Sequence, residues 1–389
     1  MTAARPPSAA RGQGETEADA ATAPSILTID LGAVTANYRR LAELSAPAEC
    51  AAVVKADAYG LGMAMVAPAL ADAGCKTFFV ATLGEAKSLR SLLPLATVYV
   101  FDGLLEGTAP FYREHGLRPV LNSAEEIREW AAFCVATRAR LSAAVHIDSG
   151  MNRLGLSAAE VEGLATANDL WGVFELALVM SHLACADEPE HPKSGAQRQS
   201  FERLRRKLPK ALASLANSAG ILLGRPYHYD LVRPGIALYG GKARRTGPNP
   251  FAPVLHFAGR ILQVRDVAPG ETVGYGATRT LKRASRIAIL SVGYADGLFR
   301  ALSVGDGKEG LRVYLGGHPA PILGRVSMDL ITVDVTGLPE HLARRGAWVE
   351  LIGQNIAAHE LAAHAGTIDY EVLTSLGARA ARRYIGGQP

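Results

Sequence analysis

The amino-acid sequence predicts an α/β protein in which a (β/α)8 TIM barrel is followed by a mostly β C-terminal domain. Three observations support this prediction. Between about residues 48 and 236, eight short apolar runs alternate with longer stretches of helical character. After about residue 254, β-branched runs broken by glycine follow one another without helices between them. The chain has 389 residues, 49% of them hydrophobic, which suffices for a barrel of about 250 residues and a second core.

The eight apolar runs have the length expected of buried strands. They lie at residues 50–54, 77–81, 96–101, 117–121, 141–147, 174–180, 211–216 and 229–233. Helical segments between them include residues 123–137, which open with Ser-Ala-Glu-Glu, a capping-box pattern, and the charged stretch 193–210. Because no G-x-G-x-x-G turn follows the first strand, the alternation favours a closed barrel over an open sheet.

The C-terminal region is predicted to be β-rich because its apolar runs are short, β-branched and separated by glycine. These runs cover residues 258–267, 286–292, 311–315, 321–323, 331–335 and 347–352.

The composition excludes several classes of protein. Residues 1–24 are rich in Ala, Pro, Gly, Thr and Glu and lack the basic start and apolar core of a secretory signal, so we expect a disordered tail. No run approaches the roughly 18 to 20 apolar residues of a membrane span. A net charge of +4 without a basic block gives no reason to expect nucleic-acid binding. The four cysteines form no CxxC pair, which favours reduced thiols and a cytoplasmic location, and no metal site is predicted.

Lys55 follows the first predicted strand and is the first candidate for chemistry. A lone lysine at a strand end usually covers apolar surface with its stem while its ammonium reaches water. In a TIM barrel, however, catalytic groups project from the carboxyl ends of the strands. A lysine buried there would have a lowered pKa, and its neutral amine could attack a carbonyl to form a Schiff base. Further polar residues follow the fifth to eighth strands: His146, Asp148, His182, Asn217, Ser218 and Arg233.

Nine motifs, in order along the chain, resemble those of the alanine racemase family. The first, "VVKADAYGLG" around Lys55, is similar to the family's pyridoxal-phosphate lysine motif. The others are "DSGMNRLG" (148–155), "SHLA" (181–184), "NSAG" (217–220), "VRPGIALYG" (232–240), "VGYGAT" (273–278), "SVGYADG" (291–297), "GRVSMD" (324–329) and "TIDYEVLTSLGAR" (367–379). The resemblance covers roughly residues 25–387.

The resemblance implies an architecture and a cofactor. It implies a barrel over residues 25–253 that binds pyridoxal 5'-phosphate, and a β-rich domain over residues 254–389. A short strand near residues 25–34 would pack with the second domain. The family assembles as a homodimer in which the second domain of one subunit completes the other subunit's site.

The resemblance also implies a two-base racemisation of L- and D-alanine on a pyridoxal-phosphate aldimine. Two bases must flank the planar carbanion so that a proton leaves one face and returns to the other. Lys55 would serve the D enantiomer and Tyr275 the L enantiomer. Taken alone, Tyr275 is more typical of an aromatic residue between two glycines of a turn, and it is the order of the other motifs that favours the catalytic role.

The remaining site residues are carried over motif by motif. Cofactor contacts are implied for Lys55, Tyr59, His182, Asn217, Ser218, Arg233, Gly235, Ile236 and Tyr370. Backbone N–H groups of a loop that enters a helix would attract the phosphate, and Asn217 is alternatively a helix cap. Substrate contacts are implied for Arg153 and for the backbone N–H of Met328.

Arg233 separates this chemistry from other uses of the cofactor. An arginine facing the pyridine nitrogen only donates a hydrogen bond, whereas the carboxylate of many other pyridoxal enzymes keeps that nitrogen protonated and deepens the electron sink. A shallower sink gives a short-lived carbanion, which suits rapid reprotonation.

The sequence departs from the family at His146, where many members carry a carbamylated lysine that braces the arginine equivalent to Arg153. A histidine cannot form the carbamate. Either Arg153 is braced by a bound anion or a carboxylate, or it is less firmly placed. His146 is alternatively a histidine packed with its hydrogen bonds satisfied at the barrel rim.

Three functions remain open at this point. The first is an alanine racemase that supplies D-alanine for peptidoglycan, and the second is a serine or broad-specificity racemase of the same family. The third is a pyridoxal-phosphate protein without turnover, or a decarboxylase on the same architecture. A protein without turnover would be expected to lack the domain that carries Tyr275, and a decarboxylase to carry a carboxylate in place of Arg233.

Overall fold

The computed structural model describes residues 22–387, which form two compact units. One unit spans Gly32–Ala252, and the other comprises residues 22–31 together with residues 253–387. The disordered tail predicted for residues 1–24 falls almost entirely on residues 1–21, which lie outside the described residues.

The unit Gly32–Ala252 contains a closed parallel barrel. Seven strands pair in sequence order, and Leu231–Val232 pairs in parallel with Glu49–Cys50. The Asp230 and Arg233 N–H groups donate to the carbonyls of Ala213 and Ala216 at 3.0 and 2.9 Å, which joins the last strand to its predecessor. The predicted barrel is therefore confirmed. Its strands are Glu49–Cys50 continuing as Ala52–Val53, Thr77–Val80, Thr97–Val100, Arg118–Leu121, Ser142–His146, Glu175–Met180, Leu212–Ser214 and Leu231–Val232.

Within residues 22–387, helices connect the barrel strands, and five of them begin at side-chain caps: Thr82, Ser123, Ser157, His191 and Asn217. Ser123 accepts the Glu126 N–H at 3.1 Å, which starts the helix Ala124–Thr137. The capping box predicted there is wrong in its second half, because the Glu126 carboxylate accepts from the N–H groups of Leu104 and Asn122 instead. The main helices are Leu31–Ser45, Met63–Asp72, Leu83–Leu92, Ala109–Glu114, Ala124–Thr137, Ala158–Leu164, Pro192–Arg205 and Ser218–Leu222.

The second unit is built on a mostly antiparallel sheet, and the predicted mostly β domain is thereby confirmed. The long strand Leu255–Val267 pairs with Ser285–Leu290 on one side and with Trp348–Ile352 on the other, which closes six strands into a ring. Ser25–Asp30 extends this sheet between Leu255–Val267 and Ala381–Ile385. The remaining strands are Arg312–Leu315, His318–Leu323 and Ile331–Asp334.

Two helices follow the last predicted apolar run of this region, residues 347–352. Ala358–Ala365 and Asp369–Ser375 are helices, and they bury Leu361, Val372 and Leu373. Among the described residues, no helix is long and apolar enough to cross a membrane.

Candidate active site

Lys55 lies at the carboxyl end of the first barrel strand and is followed by a turn of left-handed backbone. Ala56, Asp57, Ala58 and Tyr59 all have φ between 53° and 57°. For L-residues this conformation costs about 1–2 kcal/mol per residue, so the surrounding structure must impose it. Only the following Gly60, with φ 81°, adopts a positive φ without that cost.

Side-chain carboxylates hold the left-handed turn in place. Glu85 accepts the Ala56 N–H at 2.7 Å with one oxygen and the Ala81 N–H at 2.8 Å with the other. Asp57 accepts the Met63 N–H at 2.7 Å. Glu85 thereby ties the turn after the first strand to the loop after the second, and it fixes where the Lys55 side chain begins. The sequence analysis missed Glu85, whose only local signature is its place three residues after the helix cap Thr82.

The environment of Lys55 favours the neutral amine that a carbonyl-reactive lysine needs. Burial lowers the pKa of Lys55, and the positive charge of Arg153 lowers it further, while Glu85 and Asp102 act in the opposite direction. The Nζ atom lies 5.8 Å from the centroid of the Phe101 ring. A lower pKa raises the fraction of nucleophilic amine near neutral pH.

Arg233 is a buried cation in the barrel. It is 3% exposed and donates from Nη2 to the Ser181 carbonyl at 2.6 Å and from Nη1 to the Ser214 hydroxyl. Within residues 22–387 it forms no salt bridge, and burial lowers its pKa to about 9. That value still leaves the guanidinium protonated near neutral pH, so Arg233 remains a hydrogen-bond donor.

His146 is satisfied by Asn122 rather than by a charged partner. Its Nδ1 lies 2.9 Å from the Asn122 Oδ1, and the Asn122 amide nitrogen donates to the carbonyls of Val120 and Phe101. The Asn122 oxygen is therefore the acceptor, and His146 carries its proton on Nδ1. Burial, with the charges of Arg233 and Arg153, lowers the pKa of His146 to about 4. Of the readings left open for His146, the structure favours the packed, hydrogen-bonded histidine.

The loop that carries Arg153 is organised by Asp148. The Asp148 carboxylate accepts the N–H groups of Gly150 and Met151 at 2.8 Å each, and that of Asn152 at 3.0 Å. Burial raises the pKa of Asp148, but these three hydrogen bonds outweigh it and the net shift is downward. Arg153 itself is exposed and forms no salt bridge within the described residues. Its backbone is therefore fixed even though no carbamate braces its side chain.

His182 is held through its backbone by Gln197, a residue that the sequence analysis missed. The Gln197 amide donates to the His182 carbonyl at 2.9 Å and accepts the Ala184 N–H at 2.8 Å. Burial lowers the pKa of His182 well below its usual value, and the charge of Arg233 adds to the effect. The ring is thus neutral and lies in the electrostatic field of the same arginine.

Two loops after the seventh and eighth strands converge at Ser218. The Ser218 hydroxyl accepts the N–H groups of Gly235 and Ala237 at 2.9 and 3.2 Å, and Ile236 lies between them. Asn217 caps the five-residue helix Ser218–Leu222 by accepting the Gly220 N–H at 2.9 Å, so its alternative role as a cap is present.

The Tyr59 ring passes directly against this loop. A Cβ on residue 235 would overlap the Tyr59 hydroxyl and lie 2.9 Å from its Cζ. Hydroxyl groups and backbone N–H donors meet here, with no carboxylate among these contacts. This donor set fits the phosphate of pyridoxal phosphate.

We expect Gly235→Ala to weaken cofactor retention, because the added methyl group must displace the buried Tyr59 ring. Overpacking of this kind costs about 1–3 kcal/mol, and pyridoxal phosphate titration of the dialysed protein would measure its effect on affinity. Gly195→Ala is the matched control, since a Cβ there meets no atom within 4 Å on the helix Pro192–Arg205. Equal cofactor affinity for both variants would contradict the close approach at Gly235.

The other three predicted site residues lie in the second unit. Tyr275 is 72% exposed in a short turn between Gly274 and Gly276, and Met328 is 53% exposed. The Met328 carbonyl accepts the Ala295 N–H at 3.0 Å, while its own N–H has no hydrogen-bond partner within residues 22–387. Tyr370 is 37% exposed on the helix Asp369–Ser375.

The barrel end that carries Lys55 meets the needs of one class of enzyme. Lys55 with its lowered pKa, a neutral histidine, a buried arginine and the loop at Ser218 all follow the carboxyl ends of parallel strands, where barrel enzymes bind their ligands. This combination is what a pyridoxal-phosphate enzyme built on a barrel requires.

Comparison with known proteins identifies the family. Models of the alanine racemase N-terminal and C-terminal domains match residues 29–243 and 254–384. The chain is 51% identical over 361 residues to an alanine racemase of Methylobacterium nodulans, covering 93% of this chain and 96% of that protein. It is 47% identical over 368 residues to a catabolic alanine racemase of Mesorhizobium japonicum, covering 94% and 95%.

A solved structure gives the same result. The crystal structure of alanine racemase from Bartonella henselae, with covalently bound pyridoxal phosphate, matches with a TM-score of 0.89 and 41% identity, covering 93% of this chain and 100% of that one. The chain belongs to the alanine racemase family. The predicted family, fold, cofactor and enzyme class, a pyridoxal-phosphate-dependent isomerase, are thereby confirmed.

Proposed function

We propose that this protein interconverts L-alanine and D-alanine by a two-base mechanism. The observation that carries the proposal is Lys55, whose pKa is lowered at the same barrel end as Arg233 and the Ser218 loop. Pyridoxal phosphate, when bound, supplies an electron sink that acidifies the α-proton of an amino acid. The residues of the chain then have to bind the cofactor, orient the substrate and move one proton on each face.

Lys55 would attach the cofactor covalently and exchange the proton on the D face. Its lowered pKa leaves part of the amine free to accept that proton near neutral pH. Tyr275 would exchange the proton on the L face from the second domain. Its exposed position in the described chain leaves the hydroxyl accessible to a second copy of the protein.

Besides Lys55, eight residues would hold the cofactor: Tyr59, His182, Asn217, Ser218, Arg233, Gly235, Ile236 and Tyr370. The pKa of Arg233, about 9, keeps its guanidinium protonated at neutral pH. Arg233 would therefore donate a hydrogen bond to the ring nitrogen of the cofactor, and that nitrogen would remain unprotonated. The absence of a salt bridge to Arg233 within the described residues supports this assignment. The presence of an arginine instead of a carboxylate at position 233 disfavours the decarboxylase alternative.

Arg153 and the backbone N–H of Met328 would bind the substrate carboxylate. The support is that Arg153 is exposed on a rigid loop, and that the Met328 N–H has no partner within residues 22–387. A guanidinium and a backbone N–H are both suited to a carboxylate. A serine or broad-specificity racemase would use the same two contacts, so it remains the second candidate.

The proposed assembly is a homodimer with shared active sites. Tyr275, Met328, Tyr294 and Leu330 are exposed large side chains of the second unit, and burial of such residues favours association. A cytoplasmic location is supported by four free cysteines, three of which are buried. Supply of D-alanine for peptidoglycan is the proposed role, although the name of the Mesorhizobium japonicum relative also brings a catabolic role into consideration.

The proposal is tested by incubating the purified holoenzyme with a panel of single L- and D-amino acids and separating the products by chiral chromatography. We expect alanine to be racemised in both directions, with kcat/KM well above that for serine. Comparable kcat/KM values for alanine and serine would favour the broad-specificity alternative. Release of CO2 or absence of any racemised product would contradict the proposal.

A further inference from the structure

A second cleft lies in the unit Gly32–Ala252, and none of the residues assigned to the proposed active site lines it. It has a volume of 460 Å³, which falls within the range of about 300–1,000 Å³ typical of small-molecule sites. Its walls come from the helix Leu31–Ser45, from residues 221–228 before the eighth strand, and from the segment 244–250. Asn37 fixes two of these walls together by exchanging hydrogen bonds of 2.9 and 2.8 Å with the backbone of Ala252.

The charge of this cleft has one sign. Arg40, Arg225 and Arg244 line it, and its lining includes no Asp or Glu. None of the three arginines forms a salt bridge within residues 22–387. Three guanidinium groups that share a cleft without a carboxylate create a positive potential, which attracts an anion.

Two side-chain nitrogens of residues that line the cleft are closed to solvent and have no hydrogen-bond partner within residues 22–387. His228 is 3% exposed, and its Nδ1 forms no hydrogen bond, nor does the buried Nε of Arg244. Neither atom is open to the cleft, so the groups able to contact a ligand there are the arginines that line it, of which Arg40 and Arg225 are exposed. The other nitrogens of these side chains are occupied, because the His228 Nε2 bonds the Ile221 carbonyl at 2.9 Å and the Arg244 Nη2 bonds that of Leu222.

The number of guanidinium groups indicates which anion fits. A carboxylate presents two oxygens, whereas a phosphate monoester presents three terminal oxygens and carries up to two negative charges, its second pKa being about 6. Three guanidinium groups in one cleft therefore suit a phosphate monoester better than a carboxylate.

Apart from Thr246 and two glycines, the rest of the lining is apolar. It is formed by Leu44, Ile221, Leu222, Pro248 and Pro250. We propose that this cleft binds a phosphate monoester with an apolar body, with Arg40, Arg225 and Arg244 holding the phosphate. This inference does not depend on the proposed function.

Phenyl phosphate is the probe, and isothermal titration of the holoenzyme is the measurement. The holoenzyme is used, with its cofactor confirmed by absorbance, so that the phosphate loop at Ser218 is already filled. We expect one phenyl phosphate to bind per chain, and inorganic phosphate and benzyl alcohol to bind at least tenfold more weakly, because each lacks one half of the recognised chemistry.

The variants Arg40→Gln and Arg225→Gln, singly and combined, test the site without touching buried residues. Each exposed arginine is expected to contribute about tenfold to the affinity for phenyl phosphate, since charge-assisted hydrogen bonds are the stronger ones. Arg39→Gln is the matched control, because Arg39 is exposed on the same helix but does not line the cleft.

Specific outcomes overturn the proposal. Unchanged affinity in the combined variant, or an equal loss in Arg39→Gln, would show that the anion binds elsewhere or without specificity. Inorganic phosphate that binds as tightly as phenyl phosphate would contradict the role of the apolar walls, and benzyl alcohol that binds as tightly would contradict the role of the arginines. A loss of affinity confined to Arg40→Gln, Arg225→Gln and their combination would support the site.

Discussion

Lys55→Ala is expected to lose covalent attachment of the cofactor and to reduce racemisation of alanine by about 10⁴-fold or more. The substitution removes both the attaching amine and the proposed base of the D face, and removal of a general base alone costs about 10²–10⁴-fold. Treatment with borohydride followed by peptide mass mapping would locate the attached cofactor in the wild-type protein. The same treatment of Lys55→Ala should leave no modified peptide.

Lys87→Ala provides a control matched in geometry. The Lys87 Nζ lies 5.8 Å from the centroid of the Phe111 ring, the same distance as that between Lys55 and Phe101. Lys87 is exposed, and we expect its alanine variant to keep both the cofactor and the activity. A borohydride-stable adduct on any lysine in Lys55→Ala would show that Lys55 is not the attachment point.

Tyr275→Phe is expected to slow α-proton exchange from L-alanine by about 100-fold or more and to leave exchange from D-alanine much less affected. The variant removes one hydroxyl from an exposed turn, so the loss should report proton transfer rather than packing. Incubation of each enantiomer in deuterated water, followed by mass spectrometry of recovered alanine, separates the two faces.

The asymmetry between enantiomers is the decisive readout for Tyr275. An equal loss for both would indicate a role in binding or assembly rather than as the base of one face. Tyr314→Phe, on the strand Arg312–Leu315 of the same unit, is a control for the loss of a tyrosine hydroxyl. It should leave both exchange rates unchanged.

Much of the fold could be predicted because strands that are buried on both faces consist almost entirely of apolar residues. Residues 77–80 are apolar apart from Thr77 and are buried throughout, since helices cover one face of a parallel barrel and side chains fill its interior. Helix ends were less predictable because tertiary contacts decide them. The predicted helix 193–210 ends at Arg205, and the Glu126 carboxylate binds the backbone of Leu104 rather than its own helix start.

The site residues that belong to sequence motifs could be predicted. The residues that contact them from other parts of the sequence could not. Lys55, Ser218 and Arg233 stand beside strand ends, which periodicity locates. Asn122, Gln197 and Glu85 are polar residues on other elements, and each is identified only by the atoms that it meets in three dimensions. Whether His146 was a brace or a packed residue could not be decided from sequence, because the answer depends on Asn122.

The left-handed turn at Ala56–Tyr59 has a stereochemical consequence. Its dihedral angles, such as φ 53° and ψ 49° at Ala56, are the mirror image of an ordinary right-handed helical turn. A D-amino acid adopts these angles as readily as an L-residue adopts a right-handed helix, so chemical ligation that places D-alanine at residue 56 or 58 would relieve strain there instead of creating it. The protein thus carries, directly after Lys55, a stretch of main chain whose handedness suits the enantiomer that its own proposed reaction makes from L-alanine.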